Sequence, residues 1–147
     1  MCYVYIGGTT KHSKCVVVTH SIAFWEVKHY AEAFKDSVTW SDRCLQYSSV
    51  YWSAAVFGQL DVALAFGACA VLVPTLPDME WIATACLRHS INVLGIVPSE
   101  LRGTWPGGVL TKRSCLRVLP SWAEKLPLAL ASEWRPHVTL FELFITS

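Results

Sequence analysis

Short β-branched runs alternate with stretches of helical period along the whole 147-residue chain, and this alternation constrains the fold more than any other feature. Tyr3–Ile6 is β-rich, breaks at Gly7-Gly8-Thr9-Thr10, and is followed by a second β-rich run, Cys15–Thr19. From Ser21 the period changes: Ala23, Val27, Tyr30 and Phe34 recur on one helical face, with Glu26, His29, Glu32 and Lys35 on the other. Strand character returns at Arg43–Tyr47, an Ala-rich helical stretch covers Ser53–Phe66, and Ala68–Val73 reads as a buried strand after Gly67. Pro77-Asp78 supplies a helix start for Ile82, Ala85 and His89, and Asn92–Val97 is the next strand, closed by Pro98. Leu101–Lys112, rich in Gly and Pro, reads as a surface loop. Leu116–Leu119 and Val138–Phe141 are the last strands, flanking a helix opened by Pro127 and running to Trp134. The pattern predicts one α/β domain over residues 1–147, with three layers around a mostly parallel sheet.

Tyr51–Val73 is long and apolar enough to suggest a bilayer span, but Gln59 and Asp61 sit near its middle. A central Asp costs about 3 kcal/mol on insertion scales, so helix followed by strand is the expected reading. Twelve Lys and Arg against eleven Asp and Glu leave a formal charge of +1, which gives no electrostatic reason to expect nucleic acid or an anionic membrane as partner. The six cysteines show no metal-type or C-x-x-C spacing and are expected as free buried thiols in the cytoplasm. A mean hydropathy of +0.38 is high for so small a domain, so part of its surface is expected to be covered.

The loop Gly7–Lys14 carries the composition of a phosphate cradle. Glycines let main-chain N–H groups turn toward an anion, Thr9 and Thr10 add hydroxyl donors, and Lys14 balances charge. It does not fit the Walker spacing, and the same residues describe a solvated hairpin turn, so residue types alone leave both readings open. Other candidates have quiet readings. His20 is expected to be hydrogen-bonded at a strand end, His29 and Glu32 to form a wet helix face, and Trp25, Trp81, Trp105 and Trp134 to serve packing or a covered interface. Ser99-Glu100 follows a strand but lacks the G-x-S-x-G context of a nucleophile turn.

The stretch from Tyr3 to His20 resembles the phosphate-binding signature of adenylate-forming enzymes, T-S-G-T-T-G-x-P-K-G, and within that superfamily the amino-acid adenylation domains of nonribosomal peptide synthetases. The likeness continues in order. Arg43–Ser49 is similar to R-V-L-Q-F-A-S, Leu64–Val73 to L-x-A-G-A-x-x-V-L-V, Asn92–Ser99 to N-V-x-x-x-x-P-S, and Leu116–Pro127 to L-R-x-[VL]-x-x-G-G-E-x-L-P. His137–Phe144 stands where the family has V-x-L-x-N-x-Y. The resemblance implies part of the large N-terminal subdomain of such a domain. In the intact family it also implies ATP and Mg as cofactors, with a carrier-protein thiol as acceptor.

The departures shape what is expected of this chain. In the loop, Gly7, Lys11, Ser13 and Cys15 replace the family's serine, glycine, proline and final glycine, which leaves Gly8, Thr9, Thr10 and Lys14 as expected phosphate contacts. Trp52-Ser53-Ala54-Ala55 offers no carboxylate where the family's F-D-x-S aspartate grips the substrate amine. Trp122 and Ala123 replace the two glycines that approach the adenine, Glu124 alone survives of G-G-E, and Phe144 stands for the base-stacking tyrosine shortly before Ser147. No catalytic residue and no metal ligand is assigned. The expected function is therefore a degenerate, truncated adenylation-domain fragment, inactive alone, with ATP bound weakly or not at all. Its expected partners are the remainder of a synthetase or a carrier protein. The alternatives are a noncatalytic scaffold module that keeps the α/β shell, or a gene fragment.

Overall fold

Alternate residues of each central strand face opposite helical layers. The computed structural model describes residues 2–6, 14–73, 78–104 and 114–143. Cys2–Ile6 (β1) and Lys14–Val18 (β2) form an antiparallel pair, Cys2 opposite Val18 and Ile6 opposite Lys14. The main sheet contains Arg43–Gln46 (β3), Cys69–Leu72 (β4), Val93–Leu94 (β5), Val118–Ser121 (β6) and Thr139–Glu142 (β7), in the order β4-β3-β5-β6-β7. Every pairing in it is parallel.

The helices are His20–Phe34 (α1), Ser53–Ala55 (α2), Asp61–Ala65 (α3), Met79–Arg88 (α4), Pro98–Thr104 (α5) and Leu128–Trp134 (α6). Cys44, Val93 and Val118 pack against Tyr30 and Phe34 of α1 and Val62 and Ala63 of α3. Leu45, Leu94 and Leu119 pack on the other face against Ile82 and Cys86 of α4, Leu101 of α5, and Leu130 and Trp134 of α6. This is the expected three-layer arrangement around a parallel sheet.

Helix starts follow local chemistry. Thr19 Oγ1 accepts the Ile22 N–H at 3.2 Å, and Asp78 Oδ1 accepts the Trp81 N–H at 2.7 Å, each satisfying a donor in the first turn. Gly67, at φ +63°, ends the helical stretch before β4 in the left-handed conformation that glycine tolerates. Tyr51–Val73 is thus helix then strand, and among the described residues no helix is long and apolar enough to cross a membrane. One feature of this stretch is new: Val56–Leu60, between α2 and α3, is a π-helical turn.

Several expectations need correction. The strand expected at Asn92–Val97 narrows to Val93–Leu94 with a single bridge from Ile96 to Ser121, because Gly95 lies under the Trp122 ring. The strand expected at Leu116–Leu119 begins at Val118. The Asn92 carbonyl accepts both the Arg117 and the Val118 N–H, at 2.9 and 3.0 Å, so the regular ladder starts only at Val118; the Arg117 side chain reaches the buried Asp42 carboxylate and the Ser37 carbonyl, and Asp42 also accepts the Thr39 N–H at 2.8 Å. Leu101–Thr104 is helical rather than loop, and residues 105–113, including Trp105, lie outside the described residues.

Only Cys44 and Cys86 are buried thiols, both pushed up to about 12 by burial. Cys2 and Cys15 on the hairpin, Cys69 on an edge strand and Cys115 are exposed. Of the tryptophans expected to serve packing or a covered interface, Trp134 is buried, and Trp25 and Trp81 are exposed on their helices.

Candidate functional site

In an open parallel sheet, ligands bind beyond the carboxyl ends of the strands, where the strand order reverses and neighbouring connections diverge. Here β4 lies on one side of β3, while β5, β6 and β7 lie on the other, so the reversal falls between β3 and β5. Protein groups fill that crevice. The π-helical turn presents two consecutive residues, Gly58 and Gln59, to the interior. Gln59 Oε1 accepts the Tyr47 and Ser48 N–H groups at 3.3 Å each, and its Nε2 donates to the Gly95 carbonyl at 3.2 Å and to Ser48 Oγ at 3.3 Å. One amide thereby closes the gap between the ends of β3 and β5.

Trp122 follows β6, is only 2% exposed, and lays its six-membered ring over both glycines of the crevice. A Cβ built on Gly95 would stand 1.9 Å from Cη2 and 2.4 Å from Cζ3 of that ring; one on Gly58 would stand 3.2 Å from Cζ3. Ala123 comes next at φ +68°, a conformation that suits glycine and strains alanine. Substituting Ala123→Gly is expected to raise stability by about 0.5–1 kcal/mol, the left-handed strain less glycine's extra chain entropy. Thermal unfolding reads this as a midpoint higher by about 3 °C; a lower midpoint would show that the turn carries no strain.

Several other polar groups at this end of the sheet pair with one another, while the buried Ser121 hydroxyl has no hydrogen-bond partner among the described residues. Ser99 Oγ donates to Glu124 at 2.8 Å, Tyr47 Oη donates to Glu100 at 2.9 Å, and Glu142 accepts the Leu126 N–H at 2.9 Å. Burial, together with the Glu100 charge, pushes the Tyr47 hydroxyl well above its usual range. Neither Ser99 nor Glu124 is hydrogen-bonded to a histidine among the described residues. The buried Trp122 ring occupies this crevice. Among the described residues there is no cluster of three His, Cys, Asp or Glu suited to a metal ion.

Of the residues expected to contact phosphate, Gly8, Thr9 and Thr10 lie outside the described residues, as does Phe144. Lys14 opens β2 and is exposed. His20 is the first residue of α1 rather than a strand end, and with Thr19, Cys2, Phe57 and Asp61 it lines a cleft of about 220 Å³. Burial raises the Asp61 carboxyl above its usual range. Burial likewise raises Glu26 on α1; its hydrogen bond with Tyr30 works the other way, and the Asp61 charge adds to the rise. His29 donates from Nδ1 to the Trp25 carbonyl at 2.6 Å and stacks on the Trp25 ring, on the exposed surface of the helix.

Sequence reading took Gln59 only as a polar break in an apolar stretch and assigned no role to Gly58 or Gly95. The available signal was a glutamine beside a glycine in the middle of an otherwise apolar helix, a polar group that must find partners if buried.

The family model described as AMP-binding enzyme matches residues 1–144. The chain belongs to the AMP-binding enzyme family. Nonribosomal peptide synthetase 8 of Aspergillus fumigatus is 28% identical over 138 residues, which is 93% of this chain and 2% of that protein. The N-terminal domain of FACL13 from Mycobacterium tuberculosis superposes with a TM-score of 0.79 at 18% identity, over 98% of this chain and 36% of that one. The adenylation domain AlmE of Vibrio cholerae, solved in complex with glycyl-adenosine-5'-phosphate, superposes with a TM-score of 0.77 at 23% identity, over 98% of this chain and 27% of that one. The AMP-binding segment described here is thus a minor part of each of these relatives.

Proposed function

We propose that these 147 residues are an adenylation-domain segment, related to ATP-dependent activation of a carboxylate as an acyl-adenylate, whose own side chains do not sustain that reaction. The observation that carries this reading is the filled crevice: Trp122 and Gln59 stand where a parallel sheet of this order receives its ligand. The likeness to synthetases supports the ancestry, and ATP with Mg is the cosubstrate to be expected of the intact family. In this chain Gly8, Thr9, Thr10 and Lys14 are the donors that would meet phosphate. A phosphate contact without base and ribose contacts gives a site in the millimolar range, about 4 kcal/mol. Its place would be the cytoplasm, as part of a synthetase or beside a carrier protein.

A second reading, a noncatalytic interaction module, draws on the consecutive exposed side chains Val50, Tyr51 and Trp52.

Amino-acid-dependent ATP–pyrophosphate exchange with the 147-residue chain tests the first reading. No exchange is expected with any common amino acid. Exchange that disappears in Lys14→Ala would show the loop to be catalytic and overturn the proposal. Weak ATP binding that Lys14→Ala leaves unchanged would return the loop to an ordinary surface turn.

A further inference from the structure

We propose that a proton-dependent latch holds α1 on the π-helical turn: Glu26, Tyr30 and the Phe57 carbonyl form a hydrogen-bond chain that is complete only when Glu26 carries a proton. Glu26 and Tyr30 stand four residues apart on one face of α1, and their side chains are hydrogen-bonded. Tyr30 is buried, and its hydroxyl donates to the Phe57 carbonyl of the π-helical turn. A phenol has one proton to give. When Glu26 is ionised, its carboxylate and the Phe57 carbonyl are both acceptors and must share that proton. When Glu26 is protonated, its O–H donates to Tyr30 Oη, the tyrosine donates onward to Phe57, and each group has a partner.

The surroundings favour the protonated form. Asp61, the first residue of α3, brings a second partly buried carboxylate near Glu26, and among the described residues neither makes an ion pair. Burial raises the Glu26 carboxyl more than the Tyr30 hydrogen bond lowers it, and the Asp61 charge adds to the rise. Other titratable groups around the contact are few. The π-helical turn, Val56–Leu60, has none; His20 and Cys2 line the cleft beside Asp61; on α1, His29 is turned to the Trp25 carbonyl, and Lys28 and Glu32 are exposed. A carboxyl raised in the folded chain contributes stability that is fully present below its ordinary range and is lost as pH rises through the raised range. Acid therefore tightens the contact of α1 with the turn, and neutral pH loosens it. The same turn closes the crevice between β3 and β5 through Gln59, so a proton on its outer side bears on the element that seals the inner one.

The latch is independent of the proposed reaction, and its test uses neither ATP nor substrate. Glu26→Gln imitates the protonated form, since its amide donates at every pH. Hydrogen exchange of the 147-residue chain, read by mass spectrometry on the α1 segment, compares this variant with wild type from about pH 4 to about pH 8; the intrinsic pH dependence of exchange and any titration of His20 cancel in the ratio. Amides of α1 should exchange about threefold more slowly in Glu26→Gln near pH 7.5, with the ratio approaching one near pH 4, below the ordinary glutamate range. A ratio that does not change with pH overturns the latch, as does faster exchange in the variant near pH 7.5. Tyr30→Phe breaks the chain but keeps the ring, so in that background more than about half of the pH dependence should vanish. Retention of half or more overturns the proposal. Should Tyr30→Phe fail to fold, as far-UV circular dichroism would report, Asp61→Asn decides: the midpoint of the pH change should move lower, and an unmoved midpoint overturns the latch.

Discussion

Gly95→Ala is expected to lower the free energy of unfolding by about 3 kcal/mol, the upper end of what one added methyl costs in a packed core. The added Cβ would lie 1.9 Å from Trp122 Cη2, far inside van der Waals contact, and Trp122 is too buried to swing aside freely. Urea denaturation of the single variant and of Gly95→Ala in a Trp122→Leu background isolates the cause. If the clash with the indole is the whole effect, the glycine substitution should cost less than about 1 kcal/mol in the second background, a coupling near 2 kcal/mol. Additive costs would mean that the main chain at position 95, and not the ring, forbids the methyl.

That contact also marks the boundary of what residue order could reveal. The central strands were legible because a strand covered on both faces must be apolar at successive positions, and Arg43–Gln46 falls where Cys44 and Leu45 placed it. The α4 start was legible through Asp78, whose side chain acts within three residues of itself, whereas Thr19, read as the end of a strand, proves to cap α1. Trp122 was recognised as an intruder in a glycine pair, but the path of its ring depends on Gly58 and Gly95, which only the folded sheet brings beneath it. The π-helical turn had no local signature either. It adds a residue to a turn without changing the apolar character of Val56–Leu60, and its consequence appears only when Gln59 meets the ends of two strands. The start of β6 was displaced for a related reason, since the Asn92 carbonyl that takes both the Arg117 and the Val118 N–H is brought there only by the fold.

Gln59→Leu is the counterpart on the polar side of the crevice, with an expected loss of about 3 kcal/mol. Leucine is close to glutamine in volume, so the substitution leaves little cavity and its cost is mainly that of orphaned main-chain groups. The Tyr47 and Ser48 N–H groups lose their acceptor and the Gly95 carbonyl loses its donor, in a position where the amide itself is only 3% exposed. These hydrogen bonds are long, at 3.2 and 3.3 Å, which places each orphan near the low end of the usual cost, about 1 kcal/mol. Three such groups give the expected total. Hydrogen exchange adds a local readout: the Tyr47 and Ser48 amides should lose protection more than the Leu45 amide within the ladder. A loss below about 1 kcal/mol, with protection at both amides intact, would mean that water takes over the glutamine's role. In that case the crevice between β3 and β5 is wet, and Gln59 is not what closes it.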